Sequence, residues 1–452
     1  MGFSRRDFLR SSAVLLATQT PARSAANDRV AIGFIGTGAR GQELIEAVRK
    51  HPGAEITGLC DAYTGRVARS LDRTDRRPKV YPTHVELLAD QSVDAVFVAT
   101  PDHLHSRIVM DALRAGKDVY CEKPMTYSIA EGHAIIQAAR EGKRIVQVGS
   151  QGVSSDLHQT ARTMITSGWL GSTTTVRAFC NRNTVNGAWI YPVPPDASPK
   201  TVNWEMFLGD SPKRPFSLER FFRWRCYEDY SGGIASDLFV DLCTSIHYLL
   251  DVPAPTRVMA MGERYRWGYG REVPDTVNAI LEYPRGFVVN LSATFNNQSG
   301  TALHFLGTEG TLKLDEDGLD FEPEEPLEDN RWIVRSWPKA LEDEYYRRPQ
   351  VRLLEVGPDG PSEKKEAEKE KEKVQELEEP LRDPDQPHHF KSDADATVSH
   401  VGNFLNSIHT RQPFWEDATA GHRAAACAHM INLSIKERRM VEWDFEKDDV
   451  KR

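Results

Sequence analysis

Residues whose types and spacing could do chemistry gather at a few places in this chain. In VAIGFIGTGARG, residues 30–41, an apolar run stops at Gly36, Gly38 and Gly41. Glycine in the first place permits a tight turn out of a strand, in the second it lets backbone approach a pyrophosphate, and in the third it lets a helix pack closely on the strand. The helix then offers free N–H groups and the positive end of its dipole to an anion. Thr37, Ala39 and Arg40 complete this loop. A second apolar run, Ala54–Cys60, ends at Asp61, about twenty residues further on, where a ribose-binding carboxylate is expected. Lys123 stands in Glu122-Lys123-Pro124, directly after the strand expected over 117–121. The carboxyl end of a parallel strand is the ligand side of such a sheet, and burial lowers the pKa of a lysine, so Lys123 is the candidate proton acceptor. Asp237 and Asp241 lie four residues apart, on one face of an expected helix; adjacent carboxylates repel, so one of the two is expected to hold a raised pKa.

The elements that must position these groups are legible in the punctuation. Strand signals at 94–99, 117–121 and 145–148 alternate with helix signals. Two helix starts carry capping boxes, Thr83 with Glu86 and Ser128 with Glu131, and Gly116 supplies a helix stop. That rhythm predicts a doubly wound parallel sheet over 27–150. After Gly149 the pattern changes to one helix near 157–167, a strand near 173–182, a long irregular stretch at 183–230, a helix over 232–250, and short turn-separated runs from 256 to 314. In the run near 287–295, Val289, Leu291, Ala293 and Phe295 alternate with Asn290, Ser292 and Thr294, which predicts a largely antiparallel, open sheet with one wet face. The fold class is therefore α/β with a second α/β domain over 151–445. Its wet sheet face suits a second subunit, so a homo-oligomer, dimer or tetramer, is expected. Residues 363–379 alternate Glu and Lys and read as a solvated insertion.

The chain has 452 residues, more than one core usually organises, and a formal net charge of −9, which disfavours nucleic acid or an anionic membrane as partner. Its six cysteines are scattered with no C-x-x-C pair, and no metal site is expected. Residues 1–26 stand apart: Ser4-Arg5-Arg6-Asp7-Phe8-Leu9, a short apolar segment, then Ser24-Ala25-Ala26. They resemble a twin-arginine export signal, with cleavage leaving no membrane attachment and a periplasmic protein.

The segments GFIGTGARG, VATPDHLHS, YCEKP, SGGIASDLFVDL and FLGTEGTL together resemble the Gfo/Idh/MocA oxidoreductases, named for glucose-fructose oxidoreductase and inositol dehydrogenase. The resemblance implies NAD, with NADP possible beside Arg40 and Arg66, and hydride transfer at a secondary alcohol of a sugar or sugar derivative. It implies that Thr100, Pro101, His103 and His105 line the cofactor crevice, with His105 nearest the ribose or nicotinamide, and that Glu122 orients the site or binds cofactor. Lys123, Asp237 and Asp241 become the catalytic and substrate-contacting groups. Arg223, Trp224 and Tyr227, from the aromatic and Arg-rich stretch, become candidate sugar contacts. Asp241 departs from the family's usual His. An exported enzyme has no free nucleotide pool, so tightly held cofactor and redox-neutral turnover are expected. An NAD-dependent glycoside hydrolase or lyase working by transient oxidation, and a catalytically impaired sugar-binding relative, remain the alternatives.

Overall fold

The computed structural model describes residues 29–268, 270–324, 331–348, 384 and 386–451. The export-signal segment and the 363–379 insertion lie outside the described residues.

The amino-terminal sheet is built from β1 (Val30–Ile35), β2 (Ala54–Cys60), β3 (Lys79–Val80), β4 (Ala95–Val98), β5 (Asp118–Cys121) and β6 (Val146–Val148). Their spatial order is β3-β2-β1-β4-β5-β6, and every pair is parallel. Helices α1 (Ala39–Arg49), α2 (Thr64–Arg73), α3 (His84–Ala89), α4 (Asp102–Arg114) and α5 (Ile129–Gly142) make the crossovers. Because helices cover both faces, all four residues of β4 and of β5 are buried. Strand order reverses at β1, and the register aligns Ile35 with Cys60 and with Val98, and Val98 with Cys121. One edge of the sheet therefore presents Gly36, Asp61, Thr100 and Glu122 together, at the switch point where such sheets bind ligands. The Ser128–Glu131 capping box forms as expected, whereas at Thr83 only half of one does: the Thr83 hydroxyl accepts the Glu86 N–H, and the Glu86 carboxylate accepts from that hydroxyl rather than from the Thr83 backbone N–H.

Past α6 (Asp156–Thr166), strand β7 (Thr175–Asn181) opens a ten-stranded sheet with β8 (Arg257–Glu263), β9 (Thr276–Glu282), β10 (Val288–Thr294), β11 (Gly300–Leu306), β12 (Gly310–Asp315), β13 (Leu319–Pro323), β14 (His388–Phe390), β15 (Val441–Asp444) and β16 (Asp449–Val450). All its described pairs are antiparallel except β7 with β10. Val289, Leu291 and Ala293 face the core while Asn290 is exposed, as their alternation required. Strands β13 to β16 lie beyond the runs legible in sequence, and β14, β15 and β16, at four residues or fewer, are too short to carry a period of their own.

Two further departures from the sequence reading matter. The 183–230 stretch is not wholly irregular: α7 (Trp204–Leu208) and α8 (Leu218–Phe222) form in it, capped by Asn203 and Ser217 side chains. And α10 (Ala396–Thr410), placed by chain order in the second domain, buries Val401, Phe404, Leu405 and Ile408 in the core of the first sheet. Phe404 meets Phe97 edge-on at 5.4 Å, beside the Phe34–Phe97–Tyr120 stack. A helix with an apolar stripe docks where apolar surface is open, whatever its place in the chain.

Candidate active site

A cleft of ≈ 1030 Å³ is lined by residues of both domains. Its first wall is the glycine loop. Gly36 has φ +89°, and a Cβ there would lie 2.6 Å from the Ala99 carbonyl carbon; at Gly41 it would lie 2.5 Å from the Gly36 oxygen. Both positions need glycine for the turn and for helix packing. Gly38 differs. Its nearest neighbour atoms belong to the Arg66 guanidinium at 3.6 Å, so its open side faces the cleft. Gly38 is the N-cap of α1, and no side chain caps the first turn, which leaves the helix end to an anion in the cleft. Asp61 accepts the Thr37 N–H at 2.7 Å and the Tyr63 N–H at 2.8 Å, which aims its carboxylate at the loop, with Arg66 3.9 Å away. These residues fit a dinucleotide: glycine backbone for the pyrophosphate, the carboxylate for ribose hydroxyls.

The second wall carries the titrating groups. Lys123 Nζ lies 2.9 Å from Asp241 Oδ2 and 3.7 Å from Asp237 Oδ1, and donates to the Asp237 carbonyl. Asp237 accepts from Arg225 Nε at 2.9 Å, and that guanidinium lies over the Trp224 ring. Asp237 sits in a π-helical turn, Ala235–Phe239, that runs into α9 (Val240–Leu250), whose first turn holds Asp241. The wide turn, entered through Gly233 at φ +65°, delivers both carboxylates to one lysine.

The electrostatics correct one expectation. Burial alone would lower the pKa of Lys123, but Asp237 and Asp241 outweigh it and hold the amine above its ordinary value, as a cation. Asp237 goes the other way: burial would raise it, yet Lys123 and Arg225 keep it well below the usual carboxylate range. Asp241 is raised, by burial first and by Asp237, with Lys123 pulling against them. Its side chain is also the more open of the two, 42% exposed against 12%. The group suited to take a proton is therefore Asp241, and Lys123 is suited to donate a hydrogen bond.

Of the residues singled out from sequence, Gly36, Gly38, Ala39, Arg40, Asp61, Thr100, Pro101, Glu122, Lys123, Trp224, Asp237 and Asp241 line this one cleft. Thr37 and Gly41 are structural parts of its loop. His103 and His105 are not in the lining. His105 is 1% exposed, its ring nitrogens facing the Thr100 and Pro124 carbonyls at 2.8 and 2.7 Å, so it bridges two loops rather than meeting a ligand. His103 Nε2 faces the Phe207 carbonyl at 2.8 Å. Arg223 pairs with the Tyr191 carbonyl and with Glu219, and Tyr227 is buried under the Arg220 guanidinium. Glu122 accepts from Arg40 Nε at 2.7 Å. His247, on the same helix as Asp241, is buried with its Nε2 2.9 Å from the Tyr283 hydroxyl.

Sequence reasoning did not single out Asp102, Arg182, Arg225 or Glu416 as site residues. Asp102 is 3% exposed and accepts from Ser231 and Ser236, tying the first domain to the turn that bears Asp237. Glu416 is fully buried beside Ser150 and Thr244, and burial, with Asp241 and Glu122 nearby, raises its pKa well above the ordinary value. No spacing rule reaches either residue, since their partners come from distant segments.

A six-stranded parallel sheet with a glycine loop at its switch point, and a cleft where Lys123 from the end of β5 meets two carboxylates of the second domain, has the architecture of a dinucleotide-binding protein. Residues 30–150 match the oxidoreductase family's NAD-binding Rossmann fold, and residues 206–313 match the GFO/IDH/MocA C-terminal domain. The chain belongs to the Gfo/Idh/MocA oxidoreductase family, and its amino-terminal domain is an NAD-binding Rossmann domain. It is 38% identical over 122 residues to an inositol 2-dehydrogenase/D-chiro-inositol 3-dehydrogenase of Shouchella clausii, covering 26% of this chain and 35% of that one. The first curated relatives it matches are covered over 35 to 44% of their length. Among solved structures, levoglucosan dehydrogenase in complex with NADH and levoglucosan shares the fold, with TM-score 0.63 and 17% identity over 92% of this chain and 99% of that one. The aldose-aldose oxidoreductase from Caulobacter crescentus does so with the same TM-score, identity and coverage.

Proposed function

We propose that this protein is an exported, NAD(P)-dependent oxidoreductase of a sugar or sugar derivative that holds its nucleotide tightly and turns over without net redox change. The observation that carries the reading is the Lys123–Asp241–Asp237 cluster sharing one cleft with an open glycine loop. Gly36, Gly38 and the α1 terminus would hold the pyrophosphate and Asp61 the ribose. When bound, the nicotinamide supplies the acceptor for a carbinol hydride. The protein's own part is the proton. Of the three N–H bonds on Lys123, one goes to the Asp237 carbonyl and one to Asp241, leaving one for the substrate oxygen. An ammonium there stabilises negative charge as it develops on that oxygen. Asp241, ionised, takes the hydroxyl proton and returns it in the reverse direction. Asp237, locked by Arg225, fixes the lysine in place.

The Arg5-Arg6 segment supports export into the periplasm by the twin-arginine route, and that route supports retention of the nucleotide, because no free pool would replenish it. Reoxidation in place then requires a second sugar, or the same one at a later step. On the outer sheet face Met259, Met261 and Ile280 are exposed, which supports self-association there. The test is direct. Protein purified without added nucleotide is denatured, the supernatant is assayed for NAD(H) and NADP(H), and the native protein is incubated with aldoses and glycosides, with keto-sugars and released aglycones scored by mass spectrometry. Stoichiometric nucleotide and sugar oxidation are expected; protein that holds no nucleotide and shows no NAD or NADP affinity rejects the proposal.

A further inference from the structure

The arginines of this cleft are nearly all spoken for. Arg40 pairs with Glu122 at 2.7 Å, Arg107 with Asp210 at 2.9 Å, Arg225 with Asp237 at 2.9 Å, and Arg66 lies 3.9 Å from Asp61. Arg182 also lines the cleft, and among the described residues its guanidinium has no carboxylate partner. It is nonetheless held. It directly follows β7, with its N–H donating to the Thr294 carbonyl at 2.8 Å. Its stem lies on the backbone of Gly187, where a Cβ would come within 3.0 Å of the Arg182 Cβ and 3.2 Å of its Cδ. A part-buried guanidinium, seated by a close backbone approach and with no direct ion pair among the described residues, is a ready anion site.

Its surroundings make that anion part of the substrate. Arg182 belongs to the second sheet, whereas the pyrophosphate cradle belongs to the first. Its charge reaches Asp237 and the Tyr191 hydroxyl, which also feels Arg225 and Asp237, so Arg182 shares the region where the lysine–carboxylate cluster acts. Arg182, Arg225 and Lys123 here face Asp237 and Asp241, and each carboxylate already has a cation of its own. Among the described residues Arg182 is the cation of this group that has no carboxylate at ion-pair distance.

We propose that the sugar accepted by this site is an anionic one, carrying a carboxylate or an acidic ester that Arg182 grips through its guanidinium fork. This rests on the sugar-oxidoreductase reading above and adds the substrate class. A fork–carboxylate contact is charge-assisted and geometrically specific, so a neutral sugar of the same configuration forfeits it.

The experiment uses the full chain and matched pairs: glucose with glucuronate, galactose with galacturonate, mannose with mannuronate, plus glucose 6-phosphate and glucose 6-sulfate. Binding is measured by calorimetry and turnover as kcat/KM, and bound nucleotide is quantified on the same samples. In the preferred configuration the acid is expected to bind roughly 10- to 100-fold more tightly than its neutral parent. Arg182→Gln abolishes that ratio and Arg182→Lys recovers part of it, both with a thermal midpoint near wild type. A preference for the phosphate or sulfate ester over the uronates supports the same anion site and assigns the anion as an ester. The inference is overturned if the neutral member binds as well in every pair, or if the preference for acid survives in Arg182→Gln. Failure of the parent reading is distinguishable: there the protein holds no nucleotide and has no affinity for it, whereas nucleotide-loaded protein indifferent to acid refutes only the substrate class.

Discussion

Lys123→Met tests the centre of the site. Methionine fills similar volume and removes the charge that lies 2.9 Å from Asp241 and 3.7 Å from Asp237. At an effective dielectric constant of about 20, those separations correspond to bare attractions of about 6 and 4 kcal/mol. Little of that reaches stability. Desolvation of the ammonium offsets much of it, Asp237 keeps Arg225, and water shares the charge on the half-open Asp241. The folded state should lose only ~1–3 kcal/mol, a thermal shift of a few degrees. Catalysis should lose far more, because the variant retains no donor to the developing oxyanion: kcat should fall by ~10³. A second signature separates chemistry from damage. Without the cation that restrains it, the Asp241 pKa climbs further, so any residual activity has its acidic limb displaced to higher pH. The assay is sugar product formed at saturating substrate across pH, scored by mass spectrometry, with bound nucleotide quantified to show that the cleft is intact. A nucleotide-loaded variant keeping more than about a tenth of wild-type kcat, with an unmoved pH profile, would refute the assignment.

Asp241→Asn should lower kcat by ~10²–10⁴ and remove the acidic limb of the pH–rate profile, since the carboxylate must be ionised to accept a proton. Gly38→Ala should leave the thermal midpoint unchanged, because its nearest contacts would be at 3.6 Å, yet weaken nucleotide binding by tenfold or more, the ~1–3 kcal/mol of a crowded contact, as read by equilibrium titration. Glu416→Gln should stabilise the protein at pH 7 and lose that advantage toward pH 4.5, because a carboxyl whose pKa is raised by burial costs stability only at pH values above its unfolded pKa; urea midpoints across pH check this. The Lys123 ion pair should contribute fully below pH 10.5 and be lost as pH climbs through the raised folded pKa, while the Asp237 contribution is present above pH 3.8 and is lost as pH falls through its depressed one. Denaturant titrations should show both limbs in the wild type and a weakened alkaline limb in Lys123→Met.

What the linear chain determined is the part governed by short-range rules. The glycine loop, the acid at the end of β2, the Thr83 cap of α3, the capping box of α5 and the alternation along β10 each follow from residues within one element of one another, and each stands where local chemistry required. The lysine at the end of β5 and the two acids four residues apart were likewise visible, because strand ends and helix faces are local properties. Only the tertiary structure decided what those groups are chemically. Lys123 is cationic and Asp241 the raised acid because 114 residues of chain return to set Asp237 against the lysine, and no window in sequence contains both. The same holds for α10, which rejoins the first core because its apolar stripe found open surface there. It holds as well for His105, spent on two carbonyls, and for Arg182, a cleft arginine with no carboxylate partner among the described residues. Charge balance is a property of neighbourhoods in space, and long-range folding alone creates them.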